Sequence, residues 1–468
     1  MNVSSIKTPG VYINEIDAFP PSVAQVATAI PAFVGYTEKS PLPLLKPVRI
    51  KSMLEFEQFF GGAPEPEEVK VFLDENNIPT NLSTVTESKF KLYNSMRLFY
   101  ANGGGVCYIV SVNTYADAIA VGDFQDGLAE LRKEDEPTLL VFPDAVNLAS
   151  AQLGALHQAA LLQCGDLMDR FVILDVLDDD FTDFRTQVGN QNLKYGAAYY
   201  PNLNCNQVFK YYFKTINGDG TDGTINFKAK FSGLVGEIDA LVLLDPGTEE
   251  YEIAEAALIQ KIPFYSSILN TLSQLSFPLP PSGIMAGIYA QTDATRGVWK
   301  SPANVSINGI IGLTDDITDA DQEDMNITET GKSINAIRKF TGKGFLVWGG
   351  RTLAGNSSDW KYINVRRLAN MIEESAKKAC MQFVFEPNVA QTWISVKGMI
   401  ENYLSTLWND GALAGAKPEH AFFVQIGLNT TMTAQDILDG KMIVKIGYAP
   451  SRPAEFIILE FKQMQQRS

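Results

Sequence analysis

Three stretches of this sequence gather residues able to do chemistry. The run LDVLDDDFTDF carries Asp175, Asp178, Asp179, Asp180 and Asp183. Clustered carboxylates at a strand end can bind Mg2+ or Ca2+, but a solvated loop capping the next segment accounts for them without an ion. The hexapeptide GDGTDG, with Gly218, Gly220 and Gly223, has the spacing of a dinucleotide loop. That loop works only between a strand and a helix N-terminus, where backbone amides meet the pyrophosphate. Here a strand-like run follows, and Asp219 and Asp222 repel phosphate, so a turn is expected. NITETGKS ends as a P-loop does, at Gly331, Lys332 and Ser333, but Asn326 stands where the first glycine belongs and no apolar strand precedes it. One glycine cannot wrap a phosphate.

The remaining chemical inventory is thin. His157 and His420 are the only histidines, and neither has a Cys or a Ser–Asp constellation nearby. Cys107, Cys164, Cys205 and Cys380 are too far apart for a metal or redox clip, and three of them sit in or beside apolar runs, which reads as burial. No GxSxG, HExxH or CxxC occurs. The expectation is no catalytic, cofactor-binding or metal-binding residues. A formal net charge of −16 argues against nucleic acid as a partner, because displacing counterions needs a basic footprint.

The elements that would have to position any site come next. The 468 residues suffice for roughly three domains. No signal peptide opens the chain and no apolar run reaches the ~18 residues of a membrane span, so folding in a reducing cytoplasm is expected. IPAFVGYTE reads as a buried strand. VRIKSMLEFEQFFGG reads as a strand and a helix stopped by Gly61-Gly62, FKLYNSMRLFYANGG as a helix and GVCYIVSV as a strand. PTLLVFP, LASAQLGALHQAALLQCG, RFVILDVL and AAYYP alternate strand, helix, strand, strand, which argues for an α/β layer with parallel strands. VFKYYFKTI and TINFKAKF suggest a β-hairpin within an insertion at 202–268. Further on, IMAGIYA, GFLVWGG and MQFVFEP look strand-like. INVRRLANMIEESAKKA and AQTWISVKGMIENYLSTLWNDG look helical, the second with Trp393, Val396, Ile400, Leu404 and Leu407 on one stripe. AFFVQIGL and KMIVKIGYAPS follow as strands.

Two apolar strands lie at the chain ends: GVYINEI near the start and EFIILEF before a polar tail. A strand there is either tucked into its own sheet or lent to another molecule's sheet. After the first, Pro20-Pro21 cannot continue a ladder. Arg366, Arg367, Lys377 and Lys378 form two basic pairs split by Glu373-Glu374. They suit a salt-bridged solvent face or a docking face for an acidic partner.

Read in order, TPGVYINEI, VATAIPAFVGYTE, RFVILDV, PLPPSGIMAGIYAQTDATRGVWKSPANVSINGIIGL, FLVWGGRTL, LWNDGALAGAKPEHAFFVQIG and MIVKIGYAPSRPAEFIILEF resemble the sheath proteins of contractile phage tails, R-type pyocins and extracellular contractile injection systems. The resemblance implies a mixed α/β, multidomain tail-sheath fold. Its parts would be an N-terminal arm at 1–29, a discontinuous core at 30–38 plus 286–448, an inserted outer α/β domain at 39–285 and a C-terminal arm strand at 449–468. It also implies strand exchange between subunits. Val11, Tyr12, Ile13 and Ile16 and Phe456, Ile457, Ile458, Leu459 and Phe461 would be lent. Phe422, Val424, Ile426, Ile443, Val444 and Ile446 would receive. A helix with Arg366, Arg367, Lys377 and Lys378 would face the inner tube. Independently of the resemblance, Pro450 and Pro453 of APSRPA read either as a hinge or as two ordinary loop prolines.

The expected partners are further copies of the chain in a helical homopolymer, an inner tube protein, and baseplate and terminator or cap proteins. Nucleic acid, cofactors and membrane insertion are not expected. The implied function is mechanical: contraction drives the tube through a target envelope, in a phage tail or tail-like particle assembled in the cytoplasm. A static shell or surface-layer protein and an α/β enzyme are the competing readings.

Overall fold

Strict alternation governs the centre of the fold. In the segment Pro31–Thr37, Ala32, Val34 and Tyr36 join one apolar cluster and Phe33 joins another, and all seven residues are buried. A strand apolar on both faces belongs inside a sheet covered on both sides. The structure, a computed structural model, describes residues 22–40, 43–80, 82–177, 180–206, 211–221 and 223–459. The sheet has nine strands: β1 (Pro31–Thr37), β2 (Val48–Ile50), β3 (Cys107–Thr114), β4 (Leu139–Val141), β5 (Phe171–Asp175), β6 (Gly196–Tyr200), β7 (Val305–Ser306), β8 (Ile334–Phe340) and β9 (Gly344–Val347). Their spatial order is β7-β9-β8-β6-β5-β4-β1-β3-β2. From β8 to β3 the strands run parallel, while β2 at one edge, and β9 and then β7 at the other, each run antiparallel to the strand before.

Helices cover both faces. α1 (Leu92–Ala101) contributes Leu92, Met96 and Phe99 to the cluster on the Phe33 side, while α2 (Ser150–Leu167) contributes Leu153, Leu156 and Leu161 to the opposite one. α3 (Ser282–Arg296) joins α1. It takes the place of the strand expected from IMAGIYA. Ile284, Met285, Ile288 and Tyr289 form a stripe at helical spacing, and the small residues between them let the helix seat deeply. A Cβ on Gly283 would lie 2.7 Å from Cβ of Ser95, and one on Gly287 would lie 2.6 Å from the Phe99 carbonyl oxygen. The two helices therefore meet nearly backbone to backbone.

A separate cluster holds Val69, Val71, Phe213, Phe227, Ile238, Tyr251, Tyr265 and Ile268. Among the described residues, the hairpin expected from VFKYYFKTI and TINFKAKF within 202–268 does not form. Leu203–Cys205 is a strand, paired with Phe277–Leu279 and Gly312–Leu313. Beyond it come helices at Phe213–Ile216, Phe227–Lys230, Val235–Val242, Glu249–Ile259 and Tyr265–Ser273. The aromatics that looked like ladder residues gather instead, Phe213 standing 4.8 Å from Phe227 and 5.7 Å from Tyr265 between ring centres. That burial outweighs strand propensity, which chiefly measures fit to a pleated surface.

The chain divides into two compact units: residues 27–367, and the described residues 22–26 with 368–459. This differs from the expected split into 30–38 plus 286–448 and 39–285. β1 lies between β4 and β3, and β8 pairs with β6, so one sheet draws strands from both expected domains and cannot be cut between them.

Asp144 and Asp175 are buried carboxylates of the larger unit. Asp144 accepts from the amides of Tyr36 (2.7 Å), Leu92 (2.9 Å) and Lys91, yet burial still lifts it to about 6. Asp175, at the end of β5, accepts from the amide (2.8 Å) and hydroxyl (2.5 Å) of Ser282, and burial raises it to about 7. A carboxyl raised in the fold binds its proton between its unfolded pKa, ~3.9, and its folded one. Its contribution to stability is therefore largest near pH 4 and is lost as pH rises toward 7. His157 opposes this, because burial pushes its imidazole down to about 3, so the informative quantity is a difference. Relative to the Asp175→Asn variant, the wild-type chain is expected to lose on the order of 2–4 kcal/mol of stability between pH 4.5 and pH 8. Thermal melts of both chains across that range check it, and parallel pH profiles would refute it.

Candidate assembly interface

The smaller unit contains most of α4 (Ile363–Cys380), and α5 (Ala390–Asn409), β10 (Phe422–Gln425) and β11 (Lys445–Tyr448). α5 buries Val396, Met399, Ile400, Tyr403, Leu404 and Leu407, the stripe expected from sequence apart from half-exposed Trp393. β10 and β11 pair antiparallel with Phe422 opposite Tyr448, Phe423 opposite Gly447, Val424 opposite Ile446 and Gln425 opposite Lys445. Val424 is buried and Phe423 exposed, so the sheet has one covered and one open face. Phe423 lies across Gly447, where a Cβ would stand 2.2 Å from a ring atom. Among the described residues the sheet has these two strands, and a two-stranded sheet is marginal until it gains more.

Pairing continues briefly past β11. The amide of Ala449 donates to Ala421 (2.8 Å), that of Ala414 to Ala449 (2.8 Å) and that of Ser451 to Ala412 (3.0 Å), and Pro450 bridges to Leu413. The expected hinge at APSRPA is thus pinned over its first three residues. Beyond Ser451 the described chain has no secondary structure. Phe456, Ile457, Ile458 and Leu459 are 66%, 78%, 84% and 71% exposed. Within the terminal run expected to be a strand, residues 456–459 are therefore apolar, uncovered and outside any strand pairing among the described residues.

Of the residues expected to receive a strand, Phe422, Val424 and Ile446 lie in the two-stranded sheet. Ile426 directly follows β10, and Ile443 and Val444 precede β11. The expected N-terminal strand, with Val11, Tyr12, Ile13 and Ile16, and the last residue of the C-terminal one, Phe461, lie outside the described residues.

The basic pairs on α4 do not form one open face. Arg366 is buried in the larger unit, its guanidinium 4.3 Å from the centre of the Trp360 ring and 4.9 Å from that of Tyr195. Arg367 is also buried. It clasps Asp293 through Nη1 (3.0 Å) and Nη2 (2.5 Å), donates to the Thr28 carbonyl (2.9 Å) and stacks over Tyr289. Thr28 Oγ1 donates to the same carboxylate (2.5 Å). These arginines anchor the first turn of the helix and are not available to an outside partner, because removing a paired, desolvated guanidinium from its carboxylate is costly. Lys377 and Lys378 are partly exposed and both pair with Glu374, at 3.0 and 3.5 Å.

The other chemically suggestive motifs are accounted for locally. Lys332 is buried with its ammonium on the Arg185 carbonyl, and the Ser333 hydroxyl donates to Asn326 (2.7 Å). In GDGTDG, Asp219 accepts from both the amide and the hydroxyl of Thr221, with Gly220 and Gly223 at positive φ, which is a side-chain-braced turn. Asp180 caps the helix Phe181–Gln187, and Asp183 accepts from Ser150. Among the described residues no group of His, Cys, Asp and Glu is arranged to hold a metal ion.

Sequence reasoning missed one prominent feature. MQFVFEP is not a strand. Its first three residues form a 3-10 turn, and the segment continues as a loop that leaves Met381, Val384 and Phe385 exposed. Four apolar residues within five positions, Met381, Phe383, Val384 and Phe385, gave the strand signal, and nothing in their spacing marks three of them as outward-facing.

The fold places the chain among the tail sheath proteins. Residues 187–353 match the phage tail sheath protein central domain, and residues 356–464 the phage tail sheath C-terminal domain. The anti-feeding prophage helical sheath in its contracted state is 31% identical, with a TM-score of 0.65, over 98% of this chain and 99% of that one. The sheath complex of the PVC extracellular contractile injection system, also contracted, is 29% identical with a TM-score of 0.63, over 98% of each chain. The tail sheath protein of Vibrio phage KVP40 is 28% identical over 187 residues, 39% of this chain and 26% of the phage protein. That of Burkholderia phage BcepMu is 30% identical over 209 residues, 44% of this chain and 38% of its own. The chain belongs to the contractile tail sheath family.

Proposed function

We propose that copies of this chain polymerise helically around an inner tube and are held together by lent strands. The exposed run 456–459, outside any strand pairing among the described residues, carries this reading, together with the two-stranded sheet of the same unit. Lending the run to the sheet of a neighbour satisfies both, since main-chain pairing gives directional attachment with little demand on side chains. A strand forming about five backbone hydrogen bonds at ~1 kcal/mol each holds firmly once summed over a lattice. GVYINEI, with Val11, Tyr12, Ile13 and Ile16, would add a second lent strand.

The polymer assembles in an extended, metastable state and repacks into a wider, shorter one when a baseplate triggers it, driving the tube through a target envelope. The free energy is stored at assembly, as a few kcal/mol per subunit between two packings of one fold. No catalytic step is required. With Arg366 and Arg367 buried, Lys377 and Lys378 are the members of the two basic pairs left to face the tube.

Electron microscopy of the full chain beside a variant lacking residues 1–17 tests the mesh. Continuous hollow tubes are expected from the first, and disconnected rings or monomers from the second. Identical tubes from both would remove the N-terminal strand from the mesh. Failure of both to polymerise, even with a tube protein supplied, would overturn the reading.

A further inference from the structure

The loop between α4 and α5 is built to present a side chain outward. Phe385 is fully exposed, and its backbone lies at φ 71°, a region that bulky L-residues avoid. Both features are unfavourable for an isolated chain. The loop is nevertheless braced. The amide of Val384 donates to Met381 (3.2 Å) and that of Glu386 to Phe383 (3.1 Å). The Thr392 hydroxyl donates to Pro387 (2.7 Å), and Trp393 Nε1 donates to the Asn388 side chain (2.7 Å). Met381, Val384, Val389 and Ile394 are exposed around it. The same segment walls an open recess of about 450 Å3 whose lining mixes Phe383, Pro387 and Val389 with Gln382, Glu386 and Gln391. A rigid loop that displays an aromatic residue among apolar neighbours has the anatomy of an interface anchor.

We infer that Phe385 docks onto a second copy of this chain, the neighbour that lends its strand to the β10–β11 sheet; this rests on the strand exchange proposed above. Continuity with that sheet points to this occupant. Asn388 Nδ2 donates to the carbonyl of Lys441 (2.9 Å), in the segment that leads through half-exposed Ile443 into β11, so loop and acceptor strand belong to one surface. Charge favours a copy as well. The chain carries −16 overall, so copies repel one another, yet between Met381 and Ser395 the only charged residue is Glu386. Contacts between like-charged copies need such charge-poor patches. The lent run also asks for a second surface. Phe456 and Ile458 fall on one side of a strand, and Ile457 and Leu459 on the other. Pairing with β10 or β11 buries one set beside Val424, which leaves the other in need of an apolar cover.

The test places a photoreactive residue, Phe385→p-benzoylphenylalanine, in assembled sheath particles. After irradiation, the expected product runs at twice the subunit mass, and its cross-linked peptide comes from a second copy. A cross-link to a different protein, the tube among them, or no cross-link in intact particles, overturns the inference. The Phe385→Ser variant supplies an independent reading. Its monomer should melt within about 1 °C of wild type, because the ring is already exposed, while sedimentable polymer falls at least tenfold; unchanged polymer would also overturn it. If particles never form in the parent chain, the proposed function itself has failed, which is a separate outcome.

Discussion

The double substitution Ile457→Glu, Ile458→Glu is expected to leave the single chain folded and to abolish its polymer. Both side chains are more than three-quarters exposed, and surface changes of this kind usually alter stability by less than ~0.5 kcal/mol. The melting temperature of the monomer should therefore stay put. In a lent strand the two residues point to opposite faces, so whichever face meets the buried side of the acceptor sheet, one glutamate enters it. Burying a carboxylate without a partner costs several kcal/mol, comparable to the ~5 kcal/mol that the strand's hydrogen bonds supply. Sedimentation should show at least a hundredfold less polymer at equal concentration. Tubes of normal length and abundance would show that the C-terminal run is not what joins the subunits.

The second large effect concerns the larger unit alone. Asp293→Ala leaves the buried Arg367 guanidinium facing Tyr289 and a single carbonyl, without its counter-charge. Removing one partner of a buried pair typically costs ~3–5 kcal/mol. Replacing both partners, Asp293→Ala with Arg367→Met, should recover a good part of that loss, because the uncompensated charge is then gone. Denaturant melts of the three chains give the comparison. A double variant no more stable than Asp293→Ala would mean that the guanidinium's packing, not its charge, is what matters there.

The two kinds of site differ in how far sequence could reach them. The parallel sheet was legible because strands such as Cys107–Thr114 and Phe171–Asp175 are β-branched or aromatic runs bounded by turn residues, a local signal. IMAGIYA was misread because a short apolar run fits either period, and only its contact with Ser95 and Phe99, about 190 residues away in sequence, makes it a helix. The hairpin expected within 202–268 failed for the same reason, since its aromatics answer to one another across several helices. The terminal run EFIILEF carried a clear strand signal, and its residues 456–459 join no strand among the described residues, because a partner strand is not something local sequence encodes. Arg366 and Arg367 looked like surface residues because charge ordinarily is; Trp360, Tyr195 and Asp293, which bury them, sit at distances no periodicity reveals. Phe385 left no trace at all, because outward orientation depends on a backbone angle.

The clasp of Arg367 on Thr28 and Asp293 has a mechanical consequence. The chain passes between its two units twice, at residues 26–27 and 367–368, and the clasp fastens the larger unit's end of one passage to its end of the other. Under the strand exchange proposed above, a pull on the smaller unit reaches the larger one through two covalent passages whose larger-unit ends the clasp holds to each other.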